Sequence, residues 1–115
     1  MNQFKNKNSF DRRKQESSDI LNKYPERIPV IVQKSNDCQL PDVDKSKFLV
    51  PKDLSVSQFL FVIRKRIQLE PSQSLFITMN GNLVSGSSLL LQAYDDYKDD
   101  DGFLYVMYTS ENTFG

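Results

Sequence analysis

The sequence predicts an α+β domain in which a four-stranded mixed sheet carries a long helix on one face and an N-terminal helical extension on the other. Two segments, 28–32 and 103–108, are continuous apolar runs, which are typical of strands buried on both faces. A third segment, 55–67, places its apolar residues at helical spacing. A polar segment near the N-terminus is the remaining element that can cover the second face.

The composition is that of one ordinary globular domain. Of the 115 residues, 38% are hydrophobic and 26% are charged, which suits a single core. No apolar stretch approaches the roughly 18 residues of a membrane span, and the polar N-terminus lacks the apolar region of a signal peptide. The lone cysteine, Cys38, is interpreted as an unreactive loop thiol in a reducing compartment. We therefore expect a cytoplasmic protein.

The net charge of zero conceals an asymmetry along the chain. Residues 1–66 contain 14 Lys and Arg against 8 Asp and Glu, a net charge of +6. Residues 67–115 contain one Lys against seven Asp and Glu, a net charge of −6. One interpretation is a basic face for acidic partners. The other is that the two halves intermix in space and their charges cancel.

The first predicted element is a mostly polar helix over residues 10–23. Ser9 is of the type preferred at an N-cap, and Pro25 ends the segment. This helix has few apolar residues with which to dock. We expect it to pack through a thin apolar edge consisting of Phe10, Ile20, Leu21 and Tyr24.

Two strands follow. Residues 27–34 contain the first apolar run. Pro29 lies within it and has no backbone N–H, which indicates a position where no neighbouring strand requires a donor. Residues 45–51 form a shorter strand with two lysines near its start and Pro51 at its end. Lysine and proline are typical of an exposed sheet edge.

The clearest predicted helix begins after Ser55. Gln58, three residues later, completes a capping box with Ser55. At 100° per residue, Phe59, Val62 and Arg66 lie along one margin of the apolar face of the helix. The apolar face as a whole is wider than contact with one sheet requires. This margin either widens the core contact or lines a groove beside the neighbouring strand.

The remaining elements are shorter. After Pro71 the sequence predicts a strand, a turn at 80–81 and a short return strand. A serine at 87 or 88 is expected to cap a helix over 89–97. The acidic run at 98–102 lacks the ligand spacing of a calcium loop, so we expect a solvated turn. The last strand is the apolar run at 103–108.

Two hairpins flanking one helix, with the first and last strands the most buried, predict a β-grasp (ubiquitin-like) sheet. In that fold the first and last strands are parallel central neighbours, and the long helix covers one face. The predicted organisation is therefore a helical extension over residues 1–26, a β-grasp domain over 27–108 and a flexible C-terminal tail over 109–115.

Several kinds of chemistry are absent from the composition. The chain has no histidine, which excludes Ser-His-Asp and Cys-His arrangements, and with one cysteine it lacks the usual zinc ligands. No glycine-rich phosphate loop is present. We therefore expect no catalytic residues, no metal and no cofactor, and a protein that either binds or is itself a substrate.

Four stretches of the sequence resemble the autophagy ubiquitin-like modifiers, the family of the microtubule-associated light chains and the GABA-receptor-associated protein. They are YPERIPVIV, KFLVPKDLSVSQF, FVIRKRI and the closing TFG. The resemblance extends from about Phe10 to Gly115, in order and with matching spacing.

The resemblance implies conjugation to a lipid. A ubiquitin-activating-like enzyme would activate the terminal glycine, here Gly115, and pass it to the cysteine of a conjugating-like enzyme. The glycine would then form an amide with phosphatidylethanolamine. A cysteine protease processes such proteins and deconjugates them. The implied location is cytoplasmic, and the autophagosomal membrane when lipidated.

The resemblance also implies an adaptor function. The strand at 45–50 would bind cargo receptors and autophagy proteins that carry an aromatic-x-x-aliphatic motif, as an added strand. The implied aromatic pocket consists of Glu16, Ile20, Pro29, Ile31, Lys47, Leu49 and Phe103. The implied aliphatic pocket consists of Phe48, Val50, Pro51, Leu54, Phe59 and Val62. Acidic residues beside the motif would meet Arg27, Lys45, Lys47 and Arg66.

Two alternatives remain. One is a modifier of the same fold that is conjugated to protein lysines. The other is a non-covalent tubulin-binding module that uses the basic N-terminal segment, since residues 1–24 carry six Lys and Arg against three Asp and Glu. Nucleic acid is not an expected partner, because no aromatic platform or reading helix accompanies these charges.

Overall fold

The structure, a computed structural model, describes residues 3–36 and 38–110. The predicted tail falls mostly on residues 111–115, so Gly115 lies outside the described residues. In chain order the helices and strands are α1 (Gln3–Lys7), α2 (Phe10–Lys23), β1 (Arg27–Lys34), β2 (Lys47–Pro51), α3 (Val56–Arg66), β3 (Phe76–Met79), α4 (Leu90–Tyr97) and β4 (Leu104–Thr109).

The four strands form one mixed sheet in the order β2-β1-β4-β3. Strand β1 pairs with β4 in parallel, while β1–β2 and β3–β4 are antiparallel. The first and last strands are therefore the central parallel neighbours, and the ubiquitin-like prediction is confirmed. Pro29 lies opposite Leu49 and precedes the first β1–β4 pair, Val30–Leu104, so its missing amide interrupts neither ladder.

The sheet is covered on both faces, as the continuous apolar runs predict. Ile28, Val30 and Val32 of β1 join the main hydrophobic core, to which α3 contributes Phe59 and Ile63. The residues between them point the other way because strand side chains alternate. Helix α2 packs against β1 from that second side. The prediction that the N-terminal extension covers the second face is confirmed.

Helix α2 has the predicted bounds but docks differently from the expected apolar edge. Phe10 and Tyr24 are 45% and 38% exposed, so their predicted role in docking is wrong. The buried residue of α2 is Ser17, whose hydroxyl donates to the Asp101 carbonyl at 2.6 Å. Polar contacts with the loop before β4 therefore contribute to the docking of this helix.

The capping box of α3 is confirmed, since Ser55 and Gln58 exchange both of its hydrogen bonds. The next amides of α3 are also satisfied: Val56 donates to the Ser88 carbonyl and Ser57 to the Gly86 carbonyl. The segment around 86–88 thus serves the start of α3, and no serine side chain caps α4. The predicted serine cap is wrong, because α4 begins after Leu89 without a side-chain cap.

Two further expectations are corrected. The return strand predicted after the turn at 80–81 is reduced to one isolated bridge between Met79 and Asn82. The acidic run at 98–102 is not a fully solvated turn, because Asp101 is 0% exposed. Cys38, expected in a loop, does lie outside the helices and strands, and its side chain is buried.

Candidate functional site

Strand β2 forms one edge of the sheet, and its outward backbone groups can be assigned from the register. Val32 donates its N–H to the Ser46 carbonyl at 2.7 Å, so even-numbered residues of the two chain segments face each other through hydrogen bonds. Hydrogen-bonded pairs alternate with non-bonded pairs in an antiparallel ladder. Lys47 and Leu49 therefore turn their N–H and C=O groups toward the outer edge, where a further strand can pair.

The edge separates two sets of side chains. Because neighbouring strand residues point to opposite faces, Pro29, Ile31, Lys47 and Leu49 share the second face, with Pro29 opposite Leu49 and Ile31 opposite Lys47. These four belong to the predicted aromatic pocket. Phe48 and Val50, from the predicted aliphatic pocket, point to the face covered by α3.

The aliphatic pocket has a buried floor and a more exposed rim. The Phe48 and Phe59 rings meet edge to face at 6.0 Å between centroids, and both side chains are buried, as is Val50. The rim residues retain solvent contact: Val62 is 37% exposed, Pro51 is exposed and Leu54 is partly buried. The margin of α3 thus has one residue in the core and one at the surface, as a groove beside β2 requires.

The predicted acidic-flank residues lie in two places. The Lys45 ammonium and the Arg66 guanidinium lie 5.2 and 5.6 Å from the Phe48 ring centroid, and Arg66 also pairs with Asp44 at 2.9 Å. Arg27 lies at the other end of β2 and donates to the Leu49 carbonyl at 3.0 Å. Arg27 therefore already occupies one of the outward acceptors of the edge strand.

The aromatic pocket is more closed than its sequence pattern suggests. Ile31 and Phe103 are both 0% exposed, and Lys47 forms an ion pair with Glu16 of α2. Ile20 is half-buried on the same helix. Phe4 of α1, a residue that the sequence reasoning did not single out, lies against Phe103 at 5.1 Å between ring centroids.

A polar cluster around Asp101 joins the N-terminal helices to the start of β4. The Asp101 carboxylate accepts hydrogen bonds from Arg13 at 2.6 Å, from the Tyr105 hydroxyl and from the Phe103 amide at 2.9 Å. Burial, together with the hydrogen bond to Asp101, raises the pKa of Tyr105 well above its usual range. The protonated hydroxyl is the donor in its hydrogen bond with the Asp101 carboxylate.

A second ion pair, between Lys5 and Asp99, lies beside this cluster at 2.6 Å. Burial acts to raise the pKa of Asp99, but the hydrogen bond from Lys5, the Asp101 amide and the charges of Lys5 and Arg13 outweigh it and lower that pKa. Lys5 and Arg13 come from the basic half of the chain and their partners from the acidic half. The two halves thus intermix here, and their charges cancel locally.

Among residues 3–36 and 38–110, no group of three or more His, Cys, Asp and Glu side chains could hold a metal ion. Over the same ranges, no helix is long and apolar enough to cross a membrane.

Comparison with known proteins identifies the family to which this fold belongs. The sequence model of the family "Autophagy protein Atg8 ubiquitin like" matches residues 12–115. The chain belongs to the Atg8 family of ubiquitin-like autophagy proteins.

Similar members of the Atg8 family include autophagy-related protein 8 of Mycosarcoma maydis, which is 51% identical over 97% of this chain and 95% of its own length. Autophagy-related protein 8e of Arabidopsis thaliana is 50% identical over 97% of this chain and 92% of its own. The crystal structure of Trypanosoma brucei ATG8 matches with a TM-score of 0.91 and 38% identity, covering 100% of this chain and 99% of that one. The resemblance that the sequence motifs predicted is confirmed.

Proposed function

We propose that this Atg8-family protein is a lipid-conjugated adaptor. Its edge strand β2 binds aromatic-x-x-aliphatic motifs of cargo receptors and autophagy machinery, and its terminal Gly115 is joined to phosphatidylethanolamine. In this proposal the protein is cytoplasmic until conjugation and then lies on the autophagosomal membrane. The conjugating enzymes and the cysteine protease expected from the resemblance are its processing partners.

The observation that supports the adaptor proposal is that the β2 residues of the two predicted pockets point to opposite faces of the sheet. A peptide added to β2 is itself a strand, so its side chains alternate between the two faces. Residues separated by three positions have opposite orientations, and one can enter each pocket. The aromatic pocket is built around Lys47 and Leu49, and the aliphatic pocket extends toward Pro51, so the motif runs parallel to β2.

The cations at β2 favour a peptide with acidic residues before its aromatic residue. A peptide parallel to β2 places those residues near Lys45 and Lys47, where both ammonium groups are at the surface. Such exposed charge pairs accelerate the encounter more than they increase the affinity.

The spacing is tested with two synthetic peptides that share the same acidic flank. One contains Trp-x-x-Leu and the other Trp-x-x-x-Leu, in which the inserted residue directs both anchors to one face. One anchor is then left unburied, and because a buried aliphatic side chain contributes roughly 1.5–3 kcal/mol, calorimetry should show at least about tenfold weaker binding of the longer peptide. Equal affinity for the two peptides would contradict the proposed mode of binding.

The conjugation proposal rests on the family membership and on the type of residue at position 115. Glycine has no Cβ, so its carboxylate can pass through narrow enzyme channels in many backbone conformations. In a reconstituted reaction with phosphatidylethanolamine vesicles, Gly115→Ala should abolish the conjugate, while Thr113→Ala should retain it. Mass spectrometry of the product distinguishes a glycerophosphoethanolamine adduct from a lysine isopeptide, and the latter would replace the lipid as acceptor.

A further inference from the structure

Part of the floor of the aromatic pocket proposed above is covered in this structure, although Ile20 and Leu49 remain partly exposed. Ile31 and Phe103, two of its predicted apolar residues, are 0% exposed. A peptide aromatic ring gains affinity by burying its surface against such residues, so full contact with them requires whatever covers them to move.

Phe4 of α1 lies on this covered pocket. Its ring meets Phe103 edge to face at 5.1 Å and Tyr105 at 6.4 Å between centroids. The Lys47 ammonium lies 5.6 Å from the centroid of the same Phe4 ring, and Lys47 also pairs with Glu16. Three residues of the predicted aromatic pocket, Phe103, Lys47 and Glu16, thus contact Phe4 or a partner of Phe4.

A small number of direct contacts hold α1 in this position. Lys5 forms the ion pair with Asp99 and lies 4.7 Å from the Tyr105 ring centroid. The Asn8 side chain donates to the Phe4 carbonyl at 2.9 Å, and Arg13 donates to the Asn8 carbonyl at 3.2 Å. The segment is therefore docked by one aromatic ring, one ion pair and its connection to α2.

The same features make α1 easy to displace. A helix of five residues is far shorter than the roughly 12–15 residues that an isolated helix needs, so α1 derives its stability from these contacts. None of its residues is buried, and Phe4 itself keeps partial solvent exposure. No residue of α1 belongs to the hydrophobic core around α3, so that core does not depend on α1.

We propose that α1 is an internal lid of the aromatic pocket, in which Phe4 takes the place of the incoming aromatic residue of the motif. Peptide binding then requires the Phe4 ring to leave Phe103 and Lys47. The proposal rests on the peptide-binding function and adds to it a competition within the chain. An open state that is populated for only a fraction of the time weakens the apparent affinity by that fraction.

The test compares the affinity of the Trp-x-x-Leu peptide for four forms of the full chain, the wild type and three single variants. If the lid is closed about 80–90% of the time, Phe4→Ala should bind about five- to tenfold more tightly than the wild type. Phe10→Ala is the matched control, because this exposed ring lies on α2, and its affinity should equal that of the wild type. Lys5→Ala keeps the ring but removes the ion pair with Asp99, and it should tighten binding by a smaller factor.

A second measurement does not depend on variants. In the free protein, nuclear Overhauser contacts should connect the Phe4 and Phe103 rings, and they should disappear when the peptide saturates the site. Persistence of these contacts at saturation would overturn the lid, as would an affinity of Phe4→Ala no tighter than that of the wild type. If neither the wild type nor any variant binds the peptide, the proposed adaptor function itself fails. That outcome differs from failure of the lid alone, in which the peptide binds all forms with equal affinity.

Discussion

The guanidinium of Arg13 donates a 2.6 Å hydrogen bond to the carboxylate of Asp101, and so connects α2 with the loop that leads into β4. Asp101 is 0% exposed, and its carboxylate also accepts hydrogen bonds from the Phe103 amide and the Tyr105 hydroxyl. The helical extension is therefore part of the folded unit, held by a partly buried charge pair as well as by apolar contact. This connection positions α2, which supplies Glu16 and Ile20 to the proposed aromatic pocket.

Loss of the Asp101 charge should strongly destabilise the protein. Asp101→Asn keeps the shape of the side chain but leaves the Arg13 guanidinium without its counter-ion in a site largely removed from solvent. Breaking a fully buried pair on one side costs about 3–5 kcal/mol, and the solvent contact of Arg13 places the expected loss toward the lower end of this range, which urea denaturation can measure. Asp100→Asn, at the exposed neighbouring position, should change the free energy of unfolding by less than about 0.5 kcal/mol. Equal effects at the two positions would refute the buried role of Asp101.

Gly102 should tolerate alanine less well than Gly81 does. Both glycines have positive φ values, +90° and +79°, which cost a non-glycine residue about 1–2 kcal/mol. A Cβ on Gly102 would also lie 2.3 Å from the Ser17 hydroxyl oxygen, whereas a Cβ on Gly81 meets nothing within 4 Å. Thermal unfolding should therefore show a clearly larger loss for Gly102→Ala, and an equal loss would mean that α2 does not approach the loop this closely.

Acidification should release α1. The pKa of Asp99 is lowered in the folded protein, so the stabilising ion pair with Lys5 is present above the ordinary aspartate value of about 3.9 and is lost as the pH falls through the lower folded value. Arg13 and the Asp101 amide also face this carboxylate. A pH titration of the Phe4 ring resonances should show a transition below about pH 4 that is absent in Asp99→Asn. A transition that survives this substitution would assign it to another group.

Tyr108 should contribute a buried hydrogen bond to the segment before β2. Its hydroxyl donates to the Pro41 carbonyl at 2.8 Å, and burial raises its pKa to about 12. Tyr108→Phe leaves that carbonyl without its donor and should lower the free energy of unfolding by about 1 kcal/mol. Tyr24→Phe, at a partly exposed ring, is the control and should have no measurable effect. If Tyr108→Phe leaves the free energy of unfolding unchanged, solvent must replace this hydrogen bond to the Pro41 carbonyl.

Features of the fold that depend on short stretches of sequence could be predicted. Helix α2 has the predicted bounds, and β1 spans the predicted 27–34, because caps, prolines and apolar runs act on neighbouring residues. The parallel pairing of β1 and β4 followed from their two-sided apolar character. The prediction of a return strand after the turn at 80–81 was wrong. The sequence pattern is the same whether the chain pairs over several residues or, as here, forms one isolated bridge.

The proposed peptide site also has a part that could be predicted from the sequence and a part that could not. The residues of β2 and the margin of α3 could be named because strand alternation and helical spacing group them. The lid could not be anticipated, because α1 is too short for a periodic signal and its ion pair joins residues 94 positions apart. The burial of Asp101 escaped prediction for the same reason, since Arg13 lies 88 positions away.

The sequence by itself determined the four strands of the sheet, the main helices, the two-sided cover of the sheet and the family, since each depends on local patterns or on matching residues in order. The tertiary structure alone decided which polar residues are buried and which pocket is covered. A carboxylate in an acidic run has the same local pattern whether it lies in solvent or beneath a helix. Its environment depends on residues from distant parts of the chain, here Arg13 beside Asp101 and Phe4 on Phe103.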